Sequence, residues 1–201
     1  NRLFRNNTNF DQNISTKEVT VGAGTSLQRT YNAWDVSSVV DFTYTFMSSF
    51  SFNQPIGNWQ INTGSSVNMQ GMFYNADAFN QEISQSIVTV GSETYKAWDV
   101  SEVTSMSVMF YSVSNFNKDI GNWNVKNTIS FNAMFHTTGV FNQDLSKWDT
   151  KSATTMYQMF YNSFFNNAGQ SLTSSYYNPS DRDAYITWDT RNVANFGYTF
   201  S

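Results

Sequence analysis

Cysteine is absent from the 201-residue chain, which removes disulfides, thiolate metal sites and a cysteine nucleophile together. An extracellular home stays open, because stacked repeats bury a core without cross-links. The only histidine is His136, so a conventional zinc site or a Ser-His-Asp triad has little to draw on. Charged residues make up 13% and the net charge is −4, which is not the basic stripe of a nucleic-acid partner. Leucine is scarce, with Leu3, Leu27, Leu145 and Leu172 alone. No segment approaches the roughly 18 apolar residues of a membrane span, and no signal peptide is visible.

What is present is aromatic and periodic. The chain has 18 Phe, 11 Tyr, 8 Met and 6 Trp, and the Trp residues set the ruler. Trp34, Trp59, Trp98, Trp123, Trp148 and Trp188 are separated by 25, 39, 25, 25 and 40 residues. A base period of 25 residues marks a solenoid whose units bury their apolar faces against one another. The chain opens at Asn1 inside one repeat and stops at Ser201 inside another. It therefore reads as a piece of something longer, and its lack of targeting signals decides nothing.

Aligned on Trp, apolar residues fall at positions 1, 4 and 6 of a short segment, as in Ile120-x-x-Trp123-x-Val125. Trp and Val then share strand parity and one face, the spacing of a leucine-rich-repeat strand with Trp as its middle residue. A second column holds Phe46, Phe73, Phe110, Phe135, Phe160 and Phe200. The spacing of Met106-x-x-Met109-Phe110 is that of a helical turn with one buried side. A Phe-Asn corner follows, as at Phe79-Asn80, Phe116-Asn117 and Phe141-Asn142. The expected fold is a β-rich, leucine-rich-repeat-like solenoid in which short parallel strands alternate with helical or 3-10 turns. It would be a single solenoid over 1–201, six 25-residue coils plus a partial one.

Insertions lie at about 15–30, 84–94 and 166–184. They enter between the Phe-Asn corner and position 1, which is then Tyr31, Tyr95 or Tyr185 in place of Ile or Leu. The first two share wording, Val19-Thr20-Val21-Gly22 and Val88-Thr89-Val90-Gly91, each followed by Thr-Tyr and Ala-Trp. A β-branched run, a Gly and a return strand read as a hairpin. Such hairpins protrude from one edge, and Val19, Val21, Val88, Val90, Tyr176 and Tyr177 are their candidate interaction surface.

The stretches Ala97–Phe110 and Phe116–Val125 resemble the bacterial surface protein 26-residue repeat. That repeat occurs in mycoplasma and Listeria lipoproteins and is grouped with BspA-like leucine-rich repeats. Its pattern, roughly M-F-x(5)-F-N-Q-D-I-S-x-W-D-V-S-x-V-T-x-M, recurs in all six Trp units. The resemblance implies a secreted or surface-exposed protein used in attachment or as a coat, with no catalytic residues to carry over. The three inserts, the Tyr residues at position 1, and Thr150 and Thr190 in place of Val depart from the pattern.

The chemistry-bearing residues have plain structural readings. His136 occupies a row of Tyr74, Tyr111 and Tyr161, a corner that accepts a polar-tipped aromatic. The column Asp35, Gln60, Asp99, Asn124, Asp149, Asp189 gains Lys126, Lys151 and Arg191 two residues on, which suggests cross-strand compensation. Calcium on that face is the functional alternative. Corner Asn residues suit a side-chain ladder satisfying backbone groups; a sugar- or ice-binding array is the alternative. Asn6-Asn7-Thr8 and Asn13-Ile14-Ser15 are N-glycosylation sequons.

These features point away from an enzyme and from any cofactor. The first reading is an extracellular or cell-surface module for adhesion or for protein or glycan recognition. The alternative is a structural subunit of a fibre, sheath, coat or virion surface. Neither end carries a polar cap, so further repeats or other copies of the chain are expected to cover both ends.

Overall fold

The computed structural model describes residues 3–173, 175–178 and 183–200. The side chains of 175–178 and 183–186, and so those of Tyr176, Tyr177 and Tyr185, lie outside the described set. In chain order the strands are β1 (Lys17–Val21), β2 (Arg29–Ala33), β3 (Val67–Asn68), β4 (Ser86–Val90), β5 (Glu93–Ala97), β6 (Val103–Ser105), β7 (Ser175–Asn178) and β8 (Asp183–Ile186). They form four two-stranded sheets, of which β1–β2, β4–β5 and β7–β8 are antiparallel hairpins in the inserted segments.

This overturns the expected leucine-rich-repeat-like solenoid. Among the named strands only β3 and β6 pair in parallel. The described residues hold no α-helix and one three-residue 3-10 segment, Asn167–Gly169. Most of the chain runs in turns and loops, without regular strand-and-helix coils. The segment Ile120-x-x-Trp123-x-Val125 is not a strand. Its first part is a β-turn closed by Trp123 N–H on the Ile120 carbonyl (3.1 Å), and a second turn closes Thr128 onto Val125 (2.9 Å). Apolar residues at 1, 4 and 6 therefore face inward from two consecutive turns. The parallel bridges lie beyond the Trp and are one residue wide: Asp41–Asn68, Ser105–Ser130, Ser130–Thr155 and Thr155–Asn195.

The expected helical turn fails for a related reason. In residues 69–76 every second N–H leaves its own unit: Met69, Gly71, Phe73 and Asn75 donate to Ser105, Ser107, Met109 and Tyr111 at 2.9–3.0 Å. The residues between close i→i−3 turns, Met72 on Met69, Tyr74 on Gly71 and Ala76 on Phe73. Such alternation needs left-handed residues at fixed places, found at Gly71 and Asn75, Val108 and Ser112, Ala133 and Thr137. Each non-glycine there costs about 1–2 kcal/mol. A helix would avoid that cost but would turn no N–H toward the neighbouring unit.

Neighbouring units hold together through rings. Phe4, Phe46, Phe73, Phe110, Phe135, Phe160 and Phe200 stack with centroids 5.3–5.7 Å apart. A second column, Phe10, Phe52, Phe79, Phe116, Phe141 and Phe165, repeats at 5.7–6.0 Å. Within a unit the two columns touch, Phe110 on Phe116 at 4.1 Å. Stacked pairs of this kind contribute about 0.5–1.5 kcal/mol each beyond burial. Of the twelve core residues named from the sequence, ten are buried; Trp34 (41% exposed) and Phe200 (53%) are not, since no unit lies over them.

Phe110→Ala removes a fully buried ring whose neighbours are fixed by both columns, so it should cost about 3–5 kcal/mol in chemical denaturation. Phe200→Ala, at an uncovered ring, should cost far less. Equal losses at the two sites would show that the column is not the core.

Candidate functional site

Polar side chains at fixed places in the repeated units bond to the chain's own backbone. Five of the six Trp residues donate the indole N–H to a carbonyl of the preceding unit: Trp59 to Ile14, Trp98 to Ile56, Trp123 to Ile83, Trp148 to Ile120 and Trp188 to Leu145, at 2.8–3.1 Å. The corner Asn residues form a side-chain ladder. Oδ1 of Asp11, Asn53, Asn80, Asn117 and Asn142 accepts the backbone N–H of Asn53, Asn80, Asn117, Asn142 and Asn166 in turn, at 2.9–3.1 Å.

The column after Trp works within units. Oδ1 of Asp35, Asp99, Asn124, Asp149 and Asp189 accepts the N–H two residues on. Lys151 and Arg191 pair with Asp149 (3.4 Å) and Asp189 (2.5 Å) of their own units. Asp99 pairs with Lys96 three residues before it (3.2 Å), so compensation is between residues two or three apart in one unit, not across strands. The Arg191 guanidinium and backbone N–H hold the Asp189 carboxyl down at about 2. His136 stacks between Tyr111 (4.4 Å) and Tyr161 (4.9 Å), and burial lowers its pKa. Burial, and after it the neighbouring Tyr111, raises that of Tyr74. Asn13 Oδ1 accepts from the N–H and hydroxyl of Ser15 in its sequon.

What the frame does not consume are the hairpins, and their point of entry differs from the expected one. Ile14 and Ile83, not Tyr31 and Tyr95, fill position 1: both are buried and supply the carbonyls that the Trp indoles reach. In a short unit Ile and Trp are joined by two residues, Gly57-Asn58 or Gly121-Asn122. In a long unit a hairpin replaces that pair, and its first strand pairs sit just inside the Trp, Lys17 with Ala33 and Ser86 with Ala97. Tyr at three residues before Trp imitates the Ile spacing in sequence alone. The next unit's turn then buttresses each base. Asn58 bonds both backbone groups of Thr16 (3.1 and 2.6 Å), and Asn122 both of Gln85 (3.1 and 2.8 Å).

The hairpins β1–β2 and β4–β5 lie against each other. Asn32 Nδ2 donates to Glu93 Oε2 at 3.0 Å, and Glu18 lies so close over Gly91 that a Cβ there would run into its carboxylate. Tyr95 donates its hydroxyl to the Asn58 carbonyl at 2.6 Å, and burial raises its pKa despite a bond from Thr16. Of the candidate surface, Val90 is buried at 9%, Val19 and Val88 are half-buried, and Val21 is 40% exposed. The sequence reading missed Glu18, Asn32 and Glu93, whose contact joins residues 61 apart and leaves no local signal. Among the described residues no three carboxylate or imidazole groups gather at a point, and no helix is long and apolar enough to cross a membrane.

The chain belongs to the family described as Mycoplasma protein of unknown function, DUF285, which matches residues 1–90 and again 86–201. Two successive matches accord with a repeated chain. The family agrees with the mycoplasma side of the resemblance; the leucine-rich-repeat grouping is not part of that description. No curated protein and no solved structure matches the chain.

The depressed Asp189 pKa makes its contribution acid-sensitive. The carboxyl stabilises the folded state above its ordinary value of 3.8, and the contribution is lost as pH falls toward about 2. Carboxyl NMR titration should place the Asp189 midpoint at about 2, and Arg191→Ala should return it toward 3.8. An unchanged midpoint in the variant would remove Arg191 as the cause.

Proposed function

We propose that the chain is a non-enzymatic, extracellular or cell-surface repeat protein whose frame displays hairpins for adhesion, by recognition of a protein or glycan. One observation carries this reading. The Ile-to-Trp turn accepts either two residues or a whole hairpin, and the indole bond across units is the same, 2.9 Å from Trp59 and 2.8 Å from Trp98. The Ile-to-Trp joint therefore does not require a hairpin, even though Val88 and Tyr95 of β4–β5 rest against the core. An exposed, sequence-specific element that the joint does not require is best explained by recognition. The resemblance to surface-protein repeats supports the location, and DUF285 membership supports the mycoplasma-type lineage.

A second reading, a structural subunit of a fibre, sheath or coat, draws on a different observation. Trp34 (41%), Phe196 (43%), Tyr198 (62%) and Phe200 (53%) are exposed large rings on the first and last units described. Further repeats or another copy stacked head to tail would cover them, and such a heterologous contact propagates.

Replacing residues 84–97 by Gly-Asn, the joint of the short units, should leave the circular-dichroism spectrum largely unchanged. Binding to native cell-surface material should fall. A folded variant that binds as well as the parent chain would move recognition off this hairpin. Sedimentation of the parent chain distinguishes the second reading, which requires assembly rather than a stable 22.9 kDa monomer.

A further inference from the structure

Hairpins β1–β2 and β4–β5 are near copies of each other, and one already shows what covers the other. Alternation along β4–β5 puts Val88 and Val90 on one face with their cross-strand partners Tyr95 and Glu93. That face meets the first hairpin, through Glu93 on Asn32. On β1–β2 the residues that meet it, Glu18 and Asn32, share a face with Thr20 and Thr30, whose hydroxyls bond at 2.9 Å. The opposite face of β1–β2 must look away. It carries Val19, Val21, Tyr31 and Arg29, the counterparts of Val88, Val90, Tyr95 and Glu93, with Lys17 at its base.

The two faces differ in exposure. Val90 is 9% exposed and its counterpart Val21 is 40% exposed; Tyr95, which also packs on the core and bonds the Asn58 carbonyl of the intervening unit, is half-buried, and its counterpart Tyr31 is 51% exposed. Where the covered face has Glu93 to accept from Asn32, the bare face has Arg29. Neither Arg29 nor Lys17 makes an ion pair among the described residues. The bare face is thus a β-branched and aromatic centre between two cations.

We propose that the Val19–Val21–Tyr31 face is a docking surface for an acidic, threonine-faced β-hairpin of a partner protein. It would use the pairing that the two hairpins already make within this chain, with a carboxylate opposite Arg29 where Asn32 stands opposite Glu93. This rests on the reading of the hairpins as recognition elements and names the partner's chemistry. Charge argues against a second copy as the occupant. Two such faces would bring two Lys17 and two Arg29 together. The outer face of β4–β5, which repeats the threonine pair as Thr89 and Thr94 (3.0 Å), carries Lys96 at the place of Asn32.

The test uses the full chain and a synthetic peptide copying residues 17–33, cyclised at the Lys17–Ala33 pair, with Asn32→Asp. Titrating it should shift the methyl signals of Val19 and Val21 and the ring signals of Tyr31, with saturation. Arg29→Glu in the protein should weaken binding by about tenfold, as for loss of a partly desolvated charge pair. A peptide with Asn32→Lys should then restore it. Saturable shifts at Val88 and Val90 instead, or no saturable shift, would overturn the proposal. So would equal affinity for the Asp and Lys peptides. An Arg29→Glu chain that binds surface material normally, while the 84–97 replacement does not, would sink this inference and leave the proposed function standing.

Discussion

The amide N–H of every second turn residue has nowhere to go within its own unit, and the rest of the structure follows from where it goes. A buried backbone donor left unbonded costs about 1–3 kcal/mol, and each turn segment has up to four of them. They are met by carbonyls of the next unit, as for Met106, Val108, Phe110 and Ser112 on Ser130, Asn132, Met134 and His136 at 2.8–2.9 Å. Units held by that bonding stack their Phe rings with centroids 5.3–5.7 Å apart.

The same constraint explains the polar composition. Turns that do not repeat a helical or sheet ladder leave N–H groups at their starts, and short side chains bond them locally. Asn68, Ser105, Ser130, Thr155 and Asn195 each accept the N–H two residues on, directly before the inter-unit bonds begin. Gly57 and Gly121 have another reason: a Cβ at Gly57 would lie 2.6 Å from the Glu82 carbonyl, and one at Gly121 would strike that of Asp144. Side chains that elsewhere suggest metal or sugar sites are here committed to the main chain.

The spacing of Trp123 and Phe110 was legible because each column repeats a contact that must recur in every unit. Local conformation was not. Met106-x-x-Met109-Phe110 places its side chains inward whether the backbone is helical or a chain of turns, and Val108 at a φ of 50° is a choice no propensity scale favours. The entry point of the inserts was hidden for a similar reason, since Tyr95 and Ile83 both stand at plausible distances from a Phe-Asn corner and a Trp. Hairpin-on-hairpin contact through Glu18 and Glu93 was out of reach, because it depends on a single short unit, that of Trp59, lying between them.

Unequal unit lengths give the molecule a mechanical signature. A pull on the two ends would load the inter-unit bonds of one Phe layer at a time, since each unit touches mainly its neighbours. A short unit of 25 residues would release about 85 Å of chain at roughly 3.4 Å per residue. A hairpin-bearing one of 39 would release about 130 Å. Under such a pull the hairpins would add length at the units that carry them.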